Sequence, residues 1–128
     1  MAGADELTVT REIADSASVS AKASIGPFCV IGPGVVIGDG TILGRRVAVL
    51  GRTTIGRDNV IADGCVVGAP PQDLKFQGRS TYLVVGDRNR FGVNVTAHVG
   101  TEAGGFLTRI GSDCRLDAGA HVAHDCYV

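Results

Sequence analysis

Aliphatic side chains recur at every sixth residue through the first half of this chain: Ile13, Val19, Ile25, Ile31, Ile37, Leu43, Val49, Ile55, Ile61 and Val67. An amphipathic helix requires a period near 3.6, and a hairpin sheet requires an alternation of two broken by irregularly spaced turns. A strict step of six fits neither. It is the signature of a parallel β-helix in which three hexads form one triangular coil of about 18 residues, with coils stacked ~4.8 Å apart. The expected fold is therefore all-β, a left-handed parallel β-helix of hexapeptide repeats.

The step resumes after two interruptions, first at Val85, Phe91 and Ala97, then at Ile110, Leu116, Val122 and Val128. Two residues before each aliphatic position stands a small or medium side chain, as at Ala23, Cys29, Val35, Thr41, Val47, Thr53, Cys65, Cys114, Ala120 and Cys126. Both positions should point inward. All four cysteines fall in this second series, where a thiol acts as a small apolar filler, and no Cys-x-x-Cys suggests a metal or redox motif. The residue after the aliphatic one is usually Gly or Ala, as at Gly26, Gly32, Gly38, Gly44, Gly56, Ala62 and Gly68. Such residues suit a corner that needs positive φ or close backbone approach.

This register explains the 19 glycines, which are too many for an ordinary globular chain and show no collagen period. At 128 residues and 45% apolar content, the expectation is one domain over 1–128, with a lead-in at 1–12 and inserted loops at 69–84 and 99–109. A net charge of -1 with scattered Lys and Arg gives no footprint for nucleic acid or an anionic membrane. No apolar run reaches spanning length and no signal-peptide layout opens the chain, so a cytoplasmic protein without membrane insertion is expected.

The interruptions carry the polar chemistry. The first contains Gln72-Asp73-Leu74-Lys75-Phe76 and must leave the coil as an external loop, a common place for functional residues on a rigid scaffold. The second adds seven residues between Ala97 and Ile110 and is flanked by all three histidines, His98, His121 and His124. His98 and His124 are 26 positions apart; removing the seven inserted residues leaves 19, one coil plus one residue. They should stack on one outer edge of the prism, with His121 near it. Histidine is the side chain most readily used for proton transfer near neutral pH, and Asp125 could orient His124.

Three passages together resemble the bacterial UDP-N-acetylglucosamine O-acyltransferase family, which opens lipid A synthesis: Gln72-Asp73-Leu74-Lys75-Phe76 with Gly78, Val85-Gly86-Asp87-Arg88-Asn89-Arg90, and Ala120-His121-Val122-Ala123-His124-Asp125-Cys126. The shorter Ile25-Gly26-Pro27-Phe28-Cys29 and Ile55-Gly56-Arg57-Asp58-Asn59 also match, so the resemblance runs from about Ile13 to the end. It implies transfer of a 3-hydroxyacyl group from acyl carrier protein to the 3-position of UDP-N-acetylglucosamine, without metal or other cofactor. By similarity His124 would be the general base, tuned by Asp125. Gln72, Asp73, Lys75, His98 and His121 would line the nucleotide-sugar and acyl pocket. Family members place that pocket between subunits, so a homotrimer is implied.

The sequence departs from the family at Phe91-Gly92-Val93, where charged residues are usual, and at Val99, where Arg commonly follows the histidine. It stops at Val128, inside a coil, and reads as truncated beside members that continue for several coils into a C-terminal helical domain. Two other classes are open. The γ-type carbonic anhydrases are also trimeric hexapeptide β-helices and bind zinc through three histidines, but the spacing between His121 and His124 is not theirs, and the Gln-Asp-Leu-Lys passage would have no explanation. A non-catalytic assembly module is the third reading.

Overall fold

The computed structural model describes residues 11–69, 81–100, 107–123 and 127–128. Among these, short strands follow the hexads in groups of three. The first coil holds β1 (Glu12–Ile13), β2 (Ser18–Val19) and β3 (Ser24–Ile25), and the second β4 (Val30–Ile31), β5 (Val36–Ile37) and β6 (Ile42–Leu43). The third holds β7 (Ala48–Val49), β8 (Arg52–Ile55) and β9 (Val60–Ile61), and the fourth β10 (Val66–Ala69), β11 (Tyr82–Val85) and β12 (Arg90–Phe91). The fifth holds β13 (Thr96–His98), β14 (Leu107–Ile110) and β15 (Arg115–Leu116), and β16 (His121–Val122) begins the next.

Every third strand pairs in parallel, giving three flat faces ordered β1-β4-β7-β10-β13-β16, β2-β5-β8-β11-β14 and β3-β6-β9-β12-β15. This is the left-handed parallel β-helix that the period of six requires. Where the repeat is uninterrupted, partners lie 18 residues apart, as in Ala48 with Val66. Thr54 pairs with Val84, which puts 12 extra residues between them, and Thr96 pairs with His121, a separation of 25 that contains the seven added residues. Both insertions leave at the same corner, between the first and second faces, on consecutive coils.

Strand alternation decides burial. Val36 is 40% exposed while its neighbour Ile37 is 2% exposed, and the inward series Ile31, Leu43, Val49, Ile55, Ile61, Val67, Phe91, Ala97 and Ile110 is buried throughout. Cys29, Val35, Thr41, Val47, Thr53 and Cys65 fill the gaps from the next position and are buried too. Each fully buried aliphatic chain contributes roughly 1.5–3 kcal/mol. The series opens up towards both ends of the stack: Val19, Ile25 and Leu116 are partly buried, and Ile13 and Val128 are 44% and 52% exposed, Ile13 because its coil has a described neighbour on only one side.

Two local expectations need correction. Among the described glycines that follow an inward aliphatic residue, only Gly68 sits at positive φ. The left-handed backbone comes two positions later, at Gly34, Gly40, Gly64 and Gly119 and, in non-glycine residues, at Phe28, Arg46, Asp58, Arg88, Asn94 and Asp113. Close approach is what the earlier glycine serves: a Cβ added to Gly38 would lie 2.7 Å from the carbonyl oxygen of Gly56 in the next coil. The insertions are also narrower than 69–84 and 99–109. Ala69, Tyr82 to Val84 and Leu107 to Arg109 are strand, because β8, β11 and β14 pair over four residues rather than two and carry the coil into the segments assigned to loops.

Candidate functional site

The strand pairing of β13 with β16 places Thr96 opposite His121 and Ala97 opposite Val122. Val122 and Ala97 point into the core, so Thr96 and His121 share the outer surface of the first face. His98 follows at the end of β13, at the corner from which the second insertion leaves.

A bulge sets the position of His98. Val67 pairs with Ala97, but His98 pairs with Ala69, and Gly68 is passed over with φ +86°. A Cβ at Gly68 would run into the Leu50 carbonyl and the Thr53 hydroxyl, so glycine is required there for space as well as for backbone angle. Bulges commonly re-aim a side chain beside a functional site. Beyond it the Val99 N–H donates to the Ala69 carbonyl at 3.0 Å and the Gly100 N–H to the Tyr82 carbonyl at 3.0 Å, which ties the start of the second insertion to both ends of the first.

The result is a packed histidine pair. The rings of His98 and His121 stand edge to face, with centroids 4.7 Å apart and planes at 78°. The sequence expected His98 on the outer edge with His121 near it, yet His98 is only 8% exposed whereas His121 is open to solvent. The Nδ1 atom of His121 is 2.7 Å from Thr96 Oγ1, which leaves Nε2 as the ring nitrogen available to a ligand.

The structure thus brings together two of the residues singled out by sequence, His98 and His121. Gln72, Asp73, Lys75, His124 and Asp125 lie outside the described residues. Thr96 and Gly68 were not singled out. The separation of 25 between Thr96 and His121 was available from the same register arithmetic that grouped the histidines, whereas nothing in the hexad pattern marks the bulge.

The described cysteines do not compete for a chemical role. Burial pushes the Cys29 and Cys65 thiols above their ordinary value, and their Sγ atoms donate to the carbonyls of Gly44 and Gly92, each at 3.1 Å. A thiol held protonated in the core is a poor nucleophile.

Residues 16–49 match the bacterial transferase hexapeptide family, six repeats. An acyl-[acyl-carrier-protein]–UDP-N-acetylglucosamine O-acyltransferase of Anaeromyxobacter sp. is 55% identical over 78 residues, which are 61% of this chain and 30% of that protein. Among solved structures, LpxA from Acinetobacter baumannii is 42% identical with a TM-score of 0.90, over 93% of this chain and 46% of that one. The UDP-N-acetylglucosamine O-acyltransferase of Moraxella catarrhalis is 41% identical with a TM-score of 0.91, again over 93% and 46%. The chain spans about half the length of these relatives.

Proposed function

We propose that this chain, a hexapeptide-repeat β-helix similar in sequence and fold to the UDP-N-acetylglucosamine O-acyltransferases, takes part in the same acyl transfer. The substrates are a 3-hydroxyacyl thioester of acyl carrier protein and UDP-N-acetylglucosamine, and the product is the 3-O-acylated sugar nucleotide of lipid A synthesis. The observation that carries the reading is the His98–His121 pair, built by a bulge at the corner from which both insertions leave. Hexapeptide coils are shared by many proteins; a histidine pair at that corner is far more specific.

In this mechanism His124 removes the proton from the sugar 3-hydroxyl, and the oxygen attacks the thioester carbonyl. Collapse of the tetrahedral intermediate expels the carrier thiolate, which takes up a proton, and the histidine returns to its neutral form. Asp125 holds the imidazole in position. Gln72, Asp73 and Lys75 of the first insertion, with His98 and His121, bind the nucleotide sugar and the acyl group. The working form is a cytoplasmic homotrimer with the pocket shared between neighbouring subunits.

The test is acyl transfer from a panel of 3-hydroxyacyl carrier proteins to radiolabelled UDP-N-acetylglucosamine, comparing the chain with His124→Ala. Turnover that disappears in the variant while its β-sheet circular dichroism is retained supports the reading. Turnover unchanged by the substitution removes His124 from the base role. Retained sugar-nucleotide binding with no transfer leaves a binding module.

A further inference from the structure

We infer that Thr96 is a positioning residue for His121: its hydroxyl donates to Nδ1, keeps the ring proton on Nε2, and so makes His121 a hydrogen-bond donor toward a bound anion or sugar oxygen. The inference rests on the proposed acyl-transfer reading only for what the donor would meet; the tautomer itself is a property of the chain.

Three observations converge on it. Thr96 and His121 are direct cross-strand partners on the outer side of one face, so the pairing of β13 and β16 brings their side chains within reach and the 2.7 Å contact joins them. Thr is β-branched and stiff at χ1, which suits a hydroxyl that must hold one direction. The His98 ring stands 4.7 Å away at 78° and closes off another side of His121, so the ring is confined by two neighbours. With Nδ1 engaged by the Thr96 hydroxyl, Nε2 is the nitrogen that can face a ligand.

The chemical consequence is a division of labour. A neutral imidazole presents one donor and one acceptor nitrogen, and the partner of the inner nitrogen decides which faces outward. A His121 whose Nε2 bears the proton cannot accept a proton there; it can donate to phosphate or carbohydrate oxygen. That leaves proton abstraction to another group.

The experiment is nitrogen-15 NMR of the histidine side chains at a pH where the rings are neutral, with His121 assigned by its loss in His121→Gln. The expected wild-type pattern is a dominant Nε2–H form. Thr96→Val, which keeps the shape and removes the hydroxyl, should release it to a mixture, and Thr96→Ser should restore it. A dominant Nδ1–H form, or a ring indifferent to Thr96→Val, overturns the inference. In the transfer assay Thr96→Val should raise the KM for the sugar nucleotide by roughly three- to tenfold, as expected for one misdirected hydrogen bond, with a smaller effect on kcat. Wild-type chain without transfer would remove the proposed function while the NMR result still decided the role of Thr96.

Discussion

Asn89 stands one coil above Asn59, and its backbone N–H donates to the Asn59 side-chain oxygen at 2.9 Å. Both residues are fully buried at the inward small position. Each side-chain amide also donates across to a carbonyl of the coil above, Asn59 to Gly86 at 2.9 Å and Asn89 to Gly111 at 2.7 Å. The Cys114 N–H then donates to the Asn89 side-chain oxygen at 2.8 Å. These two amides satisfy backbone groups at one corner that the regular coil-to-coil bonds do not reach.

Replacing Asn89 should therefore cost more than its size suggests. Asn89→Ala leaves the Gly111 carbonyl and the Cys114 N–H without their partners and opens a gap. We expect a loss of about 3 kcal/mol, since each buried unsatisfied group costs ~1–3 kcal/mol. Urea unfolding monitored by circular dichroism measures it; a change below ~0.5 kcal/mol would show that the network is dispensable.

Two glycines separate crowding from backbone strain. In Gly38→Ala the new Cβ meets the Gly56 carbonyl oxygen at 2.7 Å, backbone that cannot move without disturbing the stack, and we expect a loss of roughly 1–3 kcal/mol. Gly34→Ala has open space around it, and only its φ of +76° opposes the substitution, at roughly 1–2 kcal/mol. An additional Gly34→Asn variant should recover part of the Gly34→Ala loss, because Asn tolerates the left-handed region, whereas Gly38→Asn should recover nothing.

The exposed pair of Arg88 and Asp113 makes a pH prediction. The Arg88 guanidinium donates to both carboxylate oxygens, at 2.8 and 3.1 Å, and this hydrogen bonding holds the Asp113 carboxyl below its ordinary value. A depressed folded value means the favourable contribution is present above the unfolded value and is lost as pH falls through the folded one, in the acid range below about pH 4. Carboxyl-carbon NMR titration should show Asp113 returning to the ordinary range in Arg88→Gln and at high salt. The unfolding midpoint at neutral pH should barely change, since both groups are largely solvated.

The thiols predict the opposite limb. Burial raises Cys29 and Cys65 above the ordinary 9.0, so the stability they contribute is present below that value and declines as pH rises past it. In the native protein, peptide-resolved iodoacetamide labelling should leave Cys29 and Cys65 unmodified and, among the described cysteines, reach the half-buried Cys114 first. Early labelling of Cys65 would mean that the fourth coil opens readily.

The pattern of six and the two inward series were legible because each coil repeats the same local rule and each residue's inner or outer side follows from strand alternation. Ile37, Phe91 and Val122 could be assigned to the core without knowing which strands paired, since any parallel stacking of hexads buries them. The gathering of His98 and His121 was legible for the same reason, because an insertion of seven leaves the register intact after it. Asn59 and Asn89 escaped notice: they break the run of small apolar residues, and their value lies in carbonyls of other coils.

Sequence alone determined the period, the faces and the flank on which His98 and His121 meet, all of which follow from a one-dimensional repeat. Only the tertiary structure decided what each corner does. Whether a glycine serves space or angle depends on the coil beside it, as at Gly38 under Gly56, and the bulge before His98 has room only for a glycine at position 68 because of Leu50 and Thr53. These contacts join residues some 15 to 30 positions apart through backbone atoms that carry no residue-specific pattern, as the pairing of Thr54 with Val84 does. A repeat predicts what is common to every coil. Steric and hydrogen-bonding differences between coils arise only when they are stacked.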